Sequence, residues 1–373
     1  MKIGILTITD GANYGNRLQN YAMQIFLSSL GYEVETIRRS TPRDAIGIRR
    51  IIFLLKDLLK IVIGMQNTFF CKRRRIEIFN DFNKSYIFFS KYCLSNNKAP
   101  KELKNEYDYF ICGSDQVWNA NFEVIKCDIM NHLAAFANPK QRIAFAASFG
   151  TPSIANGYED VFKNELSKFK AIAVREDAGK EIVDRLTNKQ ATVVLDPTLL
   201  IRRDDWEKIE KKPSYIEKER FIVTYFLGGR NPKMEKYIDE LSREKNARVI
   251  NLDIEFLSDD KIQNKDVFYT TPDEFVWLIH YAECVLTDSF HASAFSIIFE
   301  KPFVVFERIA TEAGNNMESR IDTLLYKFNL LSCRDDICNP SLRPNKPDYS
   351  KIDELINFER EKGINFLKES LNK

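Results

Sequence analysis

The chain lacks the marks of several common function classes. Its seven cysteines (71, 93, 112, 127, 284, 333 and 338) contain no C-x-x-C pair and form an odd set. Cys112 and Cys284 fall inside apolar runs with strand character, so the set reads as reduced thiols rather than a disulfide framework or a zinc site. No His, Cys, Asp or Glu group has ligand spacing, so no structural metal is expected. Charge of one sign is missing too, with 55 basic residues against 53 acidic ones and a net charge of +2. There is no general field for nucleic acid, and any anion site has to be local. The turn after the first strand lacks G-x-G-x-x-G, which leaves a dinucleotide fingerprint unsupported. The N-terminus passes from a strand straight into a turn, without the long apolar core and cleavage site of a signal peptide, so a cytoplasmic protein is expected.

What is present is an α/β pattern repeated twice. At 373 residues, 44% of them hydrophobic and 29% charged, the chain exceeds what one core usually supports. Residues 2–8 read as a buried strand and TDGANYGNR as a loop. Leu18, Tyr21, Ala22, Ile25, Phe26 and Ser29 fall at helical spacing before Gly31, and 32–37 completes a β-α-β opening. Further strands are expected at 109–112, 142–148, 171–174 and 193–195. The charge-rich stretch 202–219 carries Pro213 and no sustained apolar pattern, which predicts a linker. Beyond it come a strand at 220–227, the turn Gly228-Gly229-Arg230, a helix at 232–245, a strand at 248–252 and a helix opening at Thr271. The expected division is an N-terminal domain 1–201, a linker 202–219, a C-terminal domain 220–345, and a terminal element 346–373 whose charged helix can pack back on the first domain.

Residues 46–65 are apolar and helical in period, but Arg49, Arg50, Lys56, Asp57 and Lys60 interrupt them and disfavour a membrane span. With Lys72-Arg73-Arg74-Arg75 beyond, the segment 46–75 is either a basic element lying on an anionic membrane surface or a helix packed on its own domain.

The focal stretch is ECVLTDSFHASAFSIIFEKPFVVF, residues 283–306. An apolar strand at 284–287 leads through a polar turn into an apolar helix starting near His291. Ligands of open α/β sheets sit beyond the carboxyl ends of the strands, and a helix N-terminus there offers N–H groups and partial positive charge to an anion. Ser289 and His291 stand at that junction, and His291 is one of three histidines. His280, among Trp277, Leu278 and Ile279, suits packing, and His132 carries little weight. The same position in YDYFICGSDQVWN marks Asp115 and Gln116, with Asp115 either a helix cap or a functional carboxylate. Arg175, at another strand end, is either a surface ion pair or a fork for phosphate or carboxylate. Gly228 and Gly229 would let backbone amides approach an anion closely. The loop 307–319 suits a lid or disorder.

Five stretches taken together, NYGNRLQNYA, YDYFICGSDQVWN, AVREDAG, VVLDPTLL and VLTDSFHASAFSIIFEKPFVVF, resemble the polysaccharide pyruvyl transferase family. The resemblance runs from residue 3 to about 330, in the family's order. It implies two Rossmann-like domains facing a cleft, a glycosyltransferase-B-like fold. It also implies transfer of pyruvate from phosphoenolpyruvate to two hydroxyls of one sugar, with release of phosphate and no cofactor. Acceptors would be sugars of capsule, exopolysaccharide or cell-wall glycans. Some would be lipid-linked, which would place the protein at the inner face of the membrane. On this reading His291 and Asp115 are catalytic, and Arg175, Ser289, Arg320, Asn16, Gln116, Gly228 and Gly229 bind substrate.

One position departs from the pattern. The family places an Arg-Leu-His arrangement at the turn where this chain has Ser289-Phe290-His291. The histidine is kept and the arginine is not, so Arg320, or else Arg308 or Arg230, is expected to supply the missing charge. Two other readings of the same fold stay open: a nucleotide-sugar-dependent glycosyltransferase and a degenerate member that binds glycan without catalysis.

Overall fold

The protein, seen in a computed structural model, is described for residues 1–9, 11–40, 66–253, 264–308 and 319–371. It divides into two compact α/β units. The first comprises Met1–Gly47, Asn83–Ile201 and Glu354–Lys373, and the second Ile48–Phe82 and Arg202–Asp353.

The first unit holds a seven-stranded parallel sheet of β1 (Lys2–Leu6), β2 (Glu33–Arg39), β3 (Phe89–Leu94), β4 (Tyr109–Cys112), β5 (Arg142–Ala147), β6 (Ala171–Val174) and β7 (Thr192–Val193). Its order is β3-β2-β1-β4-β5-β6-β7. The near-continuous apolar character of KIGIL, YFIC and AIAV follows from burial on both faces of a parallel sheet. The second unit holds five parallel strands, β8 (Phe221–Tyr225), β9 (Arg248–Asn251), β10 (Val285–Thr287), β11 (Phe303–Phe306) and β12 (Arg334–Asp335), in the order β12-β11-β10-β8-β9. No two cysteines are disulfide-bonded.

Three departures from the sequence expectations have physical causes. Residues 202–219 belong to the second unit and are no linker: Trp206, on the helix Arg203–Glu207, is fully buried with its ring edge-on to Phe295 at 4.7 Å. One aromatic among charges anchors the segment. Residues 66–82, expected in the first domain, belong to the second unit. There Arg75 is buried, donates to the Phe268 carbonyl, and places its guanidinium 4.9 Å from the Phe79 ring and 5.1 Å from that of Phe268. Finally, β3 and β12 are strands that the apolar pattern does not announce, because exposed residues interrupt β3 and β12 is only two charged residues long.

The expectations for 46–65 and for most of the 307–319 loop lie outside the described residues. No helix among the described residues is long and apolar enough to cross a membrane. The terminal helix Ile352–Leu371 belongs to the first unit from Glu354 onward, where Arg360 Nε donates to the Leu200 carbonyl at 2.7 Å and Phe366 faces Phe145 at 6.1 Å.

The helix Phe290–Ile298 carries His291 and is buried along its whole length. Phe295, beside Trp206 and 6.0 Å from the Phe275 ring, fixes its rotation. Phe295→Ala is therefore expected to cost roughly 3–5 kcal/mol of stability. Chemical denaturation of the two proteins checks this, and a loss under about 1 kcal/mol would mean that the helix is held elsewhere.

Candidate active site

Each sheet has a switch point, where the chain leaves a strand toward one side and later returns on the other. In the second unit it lies between β8 and β10, in the first between β1 and β4. Crevices of open α/β sheets form beyond the carboxyl ends of such strand pairs.

At the second switch point, Thr287 Oγ donates to the Tyr225 carbonyl at 2.6 Å and accepts the Ser289 N–H at 2.9 Å, which joins the ends of β8 and β10. Asp288 completes the joint. One carboxylate oxygen accepts the Leu227 N–H and the other the Gly228 N–H, both at 2.7 Å. Arg308 Nε stands 3.4 Å from the second oxygen. Burial raises the Asp288 carboxyl above its usual range, against the pull of Arg308 and the two amides. Gly228 is a matter of space, since a Cβ there would overlap Cγ of Arg308 and lie 3.0 Å from the Asp288 carboxylate. Gly229 has φ of 78°, the left-handed region that glycine adopts without strain. The expectation that Gly228 offers its amide to a substrate is corrected here, because Asp288 already occupies that amide.

Ser289 and His291 lie where the sequence places them, at the N-cap and in the first turn of Phe290–Ile298, and are only 2% and 6% exposed. The Ser289 hydroxyl does not cap the helix. The His291 ring stands edge-on to Phe290 at 5.3 Å. Of the candidate arginines, Arg308 and Arg230 reach this switch point directly. Arg230 Nε lies 2.9 Å from Asp253, which in turn accepts the Phe226 N–H at 2.6 Å. Arg320 is buried in the first turn of the helix Ser319–Lys327. His280 stacks on Phe299 at 4.2 Å and contacts Glu210 through Nδ1 at 2.7 Å.

In the first unit, Thr7 Oγ donates to the Ser114 carbonyl at 2.9 Å and ties the loop after β1 to the loop after β4. Asn16 lies half-buried in the first turn of the helix Tyr14–Ser29, its N–H donating to the Asn13 side chain at 3.3 Å. Asp115 has φ of 72° and sits 3.7 Å from Arg175 Nη2. Gln116 accepts from the Asn119 side chain at 2.8 Å. Arg175 is 2% exposed and donates through Nη1 to Asp196 at 2.7 Å. Asp196 is further filled by Ser114 Oγ at 2.6 Å, Thr198 N–H at 3.0 Å and Thr198 Oγ at 2.8 Å. Burial opposes the charge on Arg175, but Asp196, Asp115 and Glu176 outweigh it and hold the guanidinium above its usual range. Arg175 is thus neither a surface pair nor an open fork. It is a buried bridge between Asp115 and Asp196.

Sequence reasoning did not single out Asp196 or Asp253. Asp196-Pro197-Thr198 carried the signal, an N-cap followed by proline at N1, just beyond a strand. Among the described residues, no group of three or more His, Cys, Asp or Glu could hold a metal ion.

A family model described as polysaccharide pyruvyl transferase matches residues 13–308. No curated protein matches the chain. Among solved structures the chain is similar to the UDP-GlcNAc 2-epimerase from Methanocaldococcus jannaschii, with 14% identity, 100% of this chain and 93% of that one covered, and a TM-score of 0.50. It is also similar to the UDP-GlcNAc 2-epimerase from Neisseria meningitidis (8% identity, 97% and 94% covered, TM-score 0.49) and to the ADP-heptose lps heptosyltransferase II of E. coli (9%, 100% and 98%, 0.36). The likeness to the first of these is one of fold, Rossmann-like units of the glycosyltransferase-B type, and says nothing of substrate.

Burial pushes the Asp253 carboxyl from 3.8 up to about 7, more than Arg230 and the Phe226 amide pull it down. The folded protein then holds a proton that the unfolded chain releases. The stability this contributes is full below about pH 4 and is lost as the pH rises through about 7. Asp253→Asn should therefore flatten the fall of melting temperature between these limits. Parallel curves for the two proteins would mean that Asp253 titrates in the ordinary range.

Proposed function

The chain belongs to the polysaccharide pyruvyl transferase family, and from this we propose that it transfers pyruvate from phosphoenolpyruvate to two hydroxyls of one sugar in a surface polysaccharide or its precursor. The reaction balances without oxidant or cofactor. The methylene carbon of the donor gains a proton as the first sugar hydroxyl adds to C2 and loses its own. The second hydroxyl then adds to C2, its proton leaves with the phosphate, and a cyclic ketal remains. An acid, a base and fixed cations are needed.

The match over residues 13–308 carries this reading. The second switch point suits the donor. His291, at the N-terminus of a nine-residue helix, serves as proton donor or phosphate ligand, with Ser289 beside it. Arg308 supplies the charge that the family places at residue 289, since it already stands at Asp288, one residue before that turn. Asp115 serves as base or hydroxyl acceptor, with Asn16 and Gln116 contacting the sugar. Arg175 acts as a positioning residue, because its guanidinium is taken up by Asp196 and Asp115. These assignments replace Arg320 by Arg308 as the favoured second anchor.

Calorimetric titration with phosphoenolpyruvate, with and without candidate acceptor sugars, tests the reading. Arg308→Ala should weaken donor binding by roughly 1.5–3 kcal/mol, the usual range for a hydrogen bond to a charged group. Arg308→Lys should restore part of it. His291→Ala should lower turnover by about 10²–10⁴-fold if the ring transfers the proton. Binding of a nucleotide-sugar, with no heat from phosphoenolpyruvate even when acceptor is present, would replace this reading by glycosyl transfer.

A further inference from the structure

The basic run Lys72-Arg73-Arg74-Arg75 is split by the fold. Cys71, Arg75, Phe79 and Phe82 recur at helical spacing on the helix Gln66–Tyr86 and are buried. Arg75 spends its charge inward, on the Phe268 carbonyl and two aromatic rings. Lys72, Arg73 and Arg74 are exposed, and so is Phe70 at 54%. Phe70, Arg73, Arg74 and Glu77 follow an i, i+3, i+4, i+7 spacing and therefore share one face.

That face forms one wall of a cleft of about 390 Å³, and Lys265 and Tyr269 belong to the other. Both walls belong to the second unit, and Arg75 locks them together. Among the described residues that line the cleft, three cations meet one carboxylate. Glu77 lies 3.5 Å from both Arg73 and Arg74, so it cannot offset the two of them and Lys265 as well. Burial and the hydrogen bond to Cys71 push the Tyr269 phenol up to about 12, so it adds no negative charge at neutral pH.

The geometry points to a docking face for an anionic lipid surface, with Arg73, Arg74 and Lys265 on lipid phosphates and Phe70 entering the boundary between headgroups and acyl chains. Two observations select this occupant. Excess positive charge favours phosphate, and a large exposed aromatic at the same spot has no use for a small soluble anion but gains from an apolar boundary. A nucleic acid would call for a basic track along the molecule, and the balanced net charge of +2 provides none. The inference does not depend on the reaction proposed above.

Co-sedimentation of the full chain with vesicles tests it. Phosphatidylglycerol vesicles should carry the protein down and phosphatidylcholine vesicles should not, and binding should weaken as salt rises. Each neutralised cation should cost about fivefold in partition, so Arg73→Gln with Arg74→Gln should lose about 25-fold and Lys265→Ala about fivefold. Phe70→Ala should lose about tenfold on its apolar area. Unchanged melting temperatures would show that the variants are folded, and Lys265→Ala reads the cleft from outside the long helix. Equal binding to both lipids, no binding to either, or variants that bind like the wild type would each overturn the proposal. Inorganic phosphate at millimolar level abolishing sedimentation would also overturn it, in favour of a soluble anion.

Discussion

The carboxylate of Asp288 is the joint on which the second crevice depends. It stands at the carboxyl end of β10 and accepts two consecutive N–H groups from the loop after β8, so the strands flanking the switch point are tied at their functional ends. An isolated carboxylate buried there would cost several kcal/mol. Two amides and Arg308 offset part of that cost, but only while residue 228 has no side chain. Asp288, Gly228 and Arg308 are thus one constraint written at three places in the chain. The start of the helix bearing His291 follows from it, because Ser289 is the next residue.

The first unit solves the same problem with different groups. Thr7 bridges its switch point as Thr287 bridges the other, through a hydroxyl donating to a carbonyl across the crevice. The buried charge is reversed, however. Arg175 lies inside, and Asp196 holds it with help from Ser114 and Thr198. Asp196 also caps the short helix Pro197–Leu200, so one carboxylate terminates a strand, starts a helix and fixes an arginine. Asp115, in the left-handed region and 3.7 Å from that arginine, inherits its place from this network.

Local signals made much of the fold legible. The helix Pro232–Lys245 announces itself by an Asn231 cap with proline at N1, and Pro272–Tyr281 by a Thr271–Glu274 capping box. Central strands show as apolar runs because both their faces are covered. Where exposed residues interrupt a strand, as Lys91 and Cys93 do in FSKYCL of β3, the mixed pattern is one that periodicity cannot resolve. Trp206 misleads in the opposite sense, a single anchor in a segment whose average is charged. At the site, residues standing at strand ends could be read directly, including Ser289, His291 and Asp115. Which charges cancel which could not, since Gly228 meets Asp288 only through the non-sequential pairing of β8 with β10, and Arg175 meets Asp196 only through the pairing of β6 with β7.

On the reading proposed above, that cancellation bears on which arginine serves an incoming anion. Arg175 has 1% of its side chain exposed and faces Asp196 with none. Drawing it toward a substrate would strand a buried carboxylate, a penalty of about 3–5 kcal/mol by analogy with broken buried pairs. Arg308 has 22% of its side chain exposed and meets Asp288 at the longer distance of 3.4 Å. Asp288 keeps two backbone amides if Arg308 turns away, and its carboxyl, already raised by burial, is less averse to losing charge. By exposure and distance, drawing Arg308 toward an anion disturbs Asp288 less than the same movement of Arg175 would disturb Asp196. On the reading proposed above the physical roles divide accordingly, with Arg175 holding the first crevice in shape and Arg308 turned to the anion at the second.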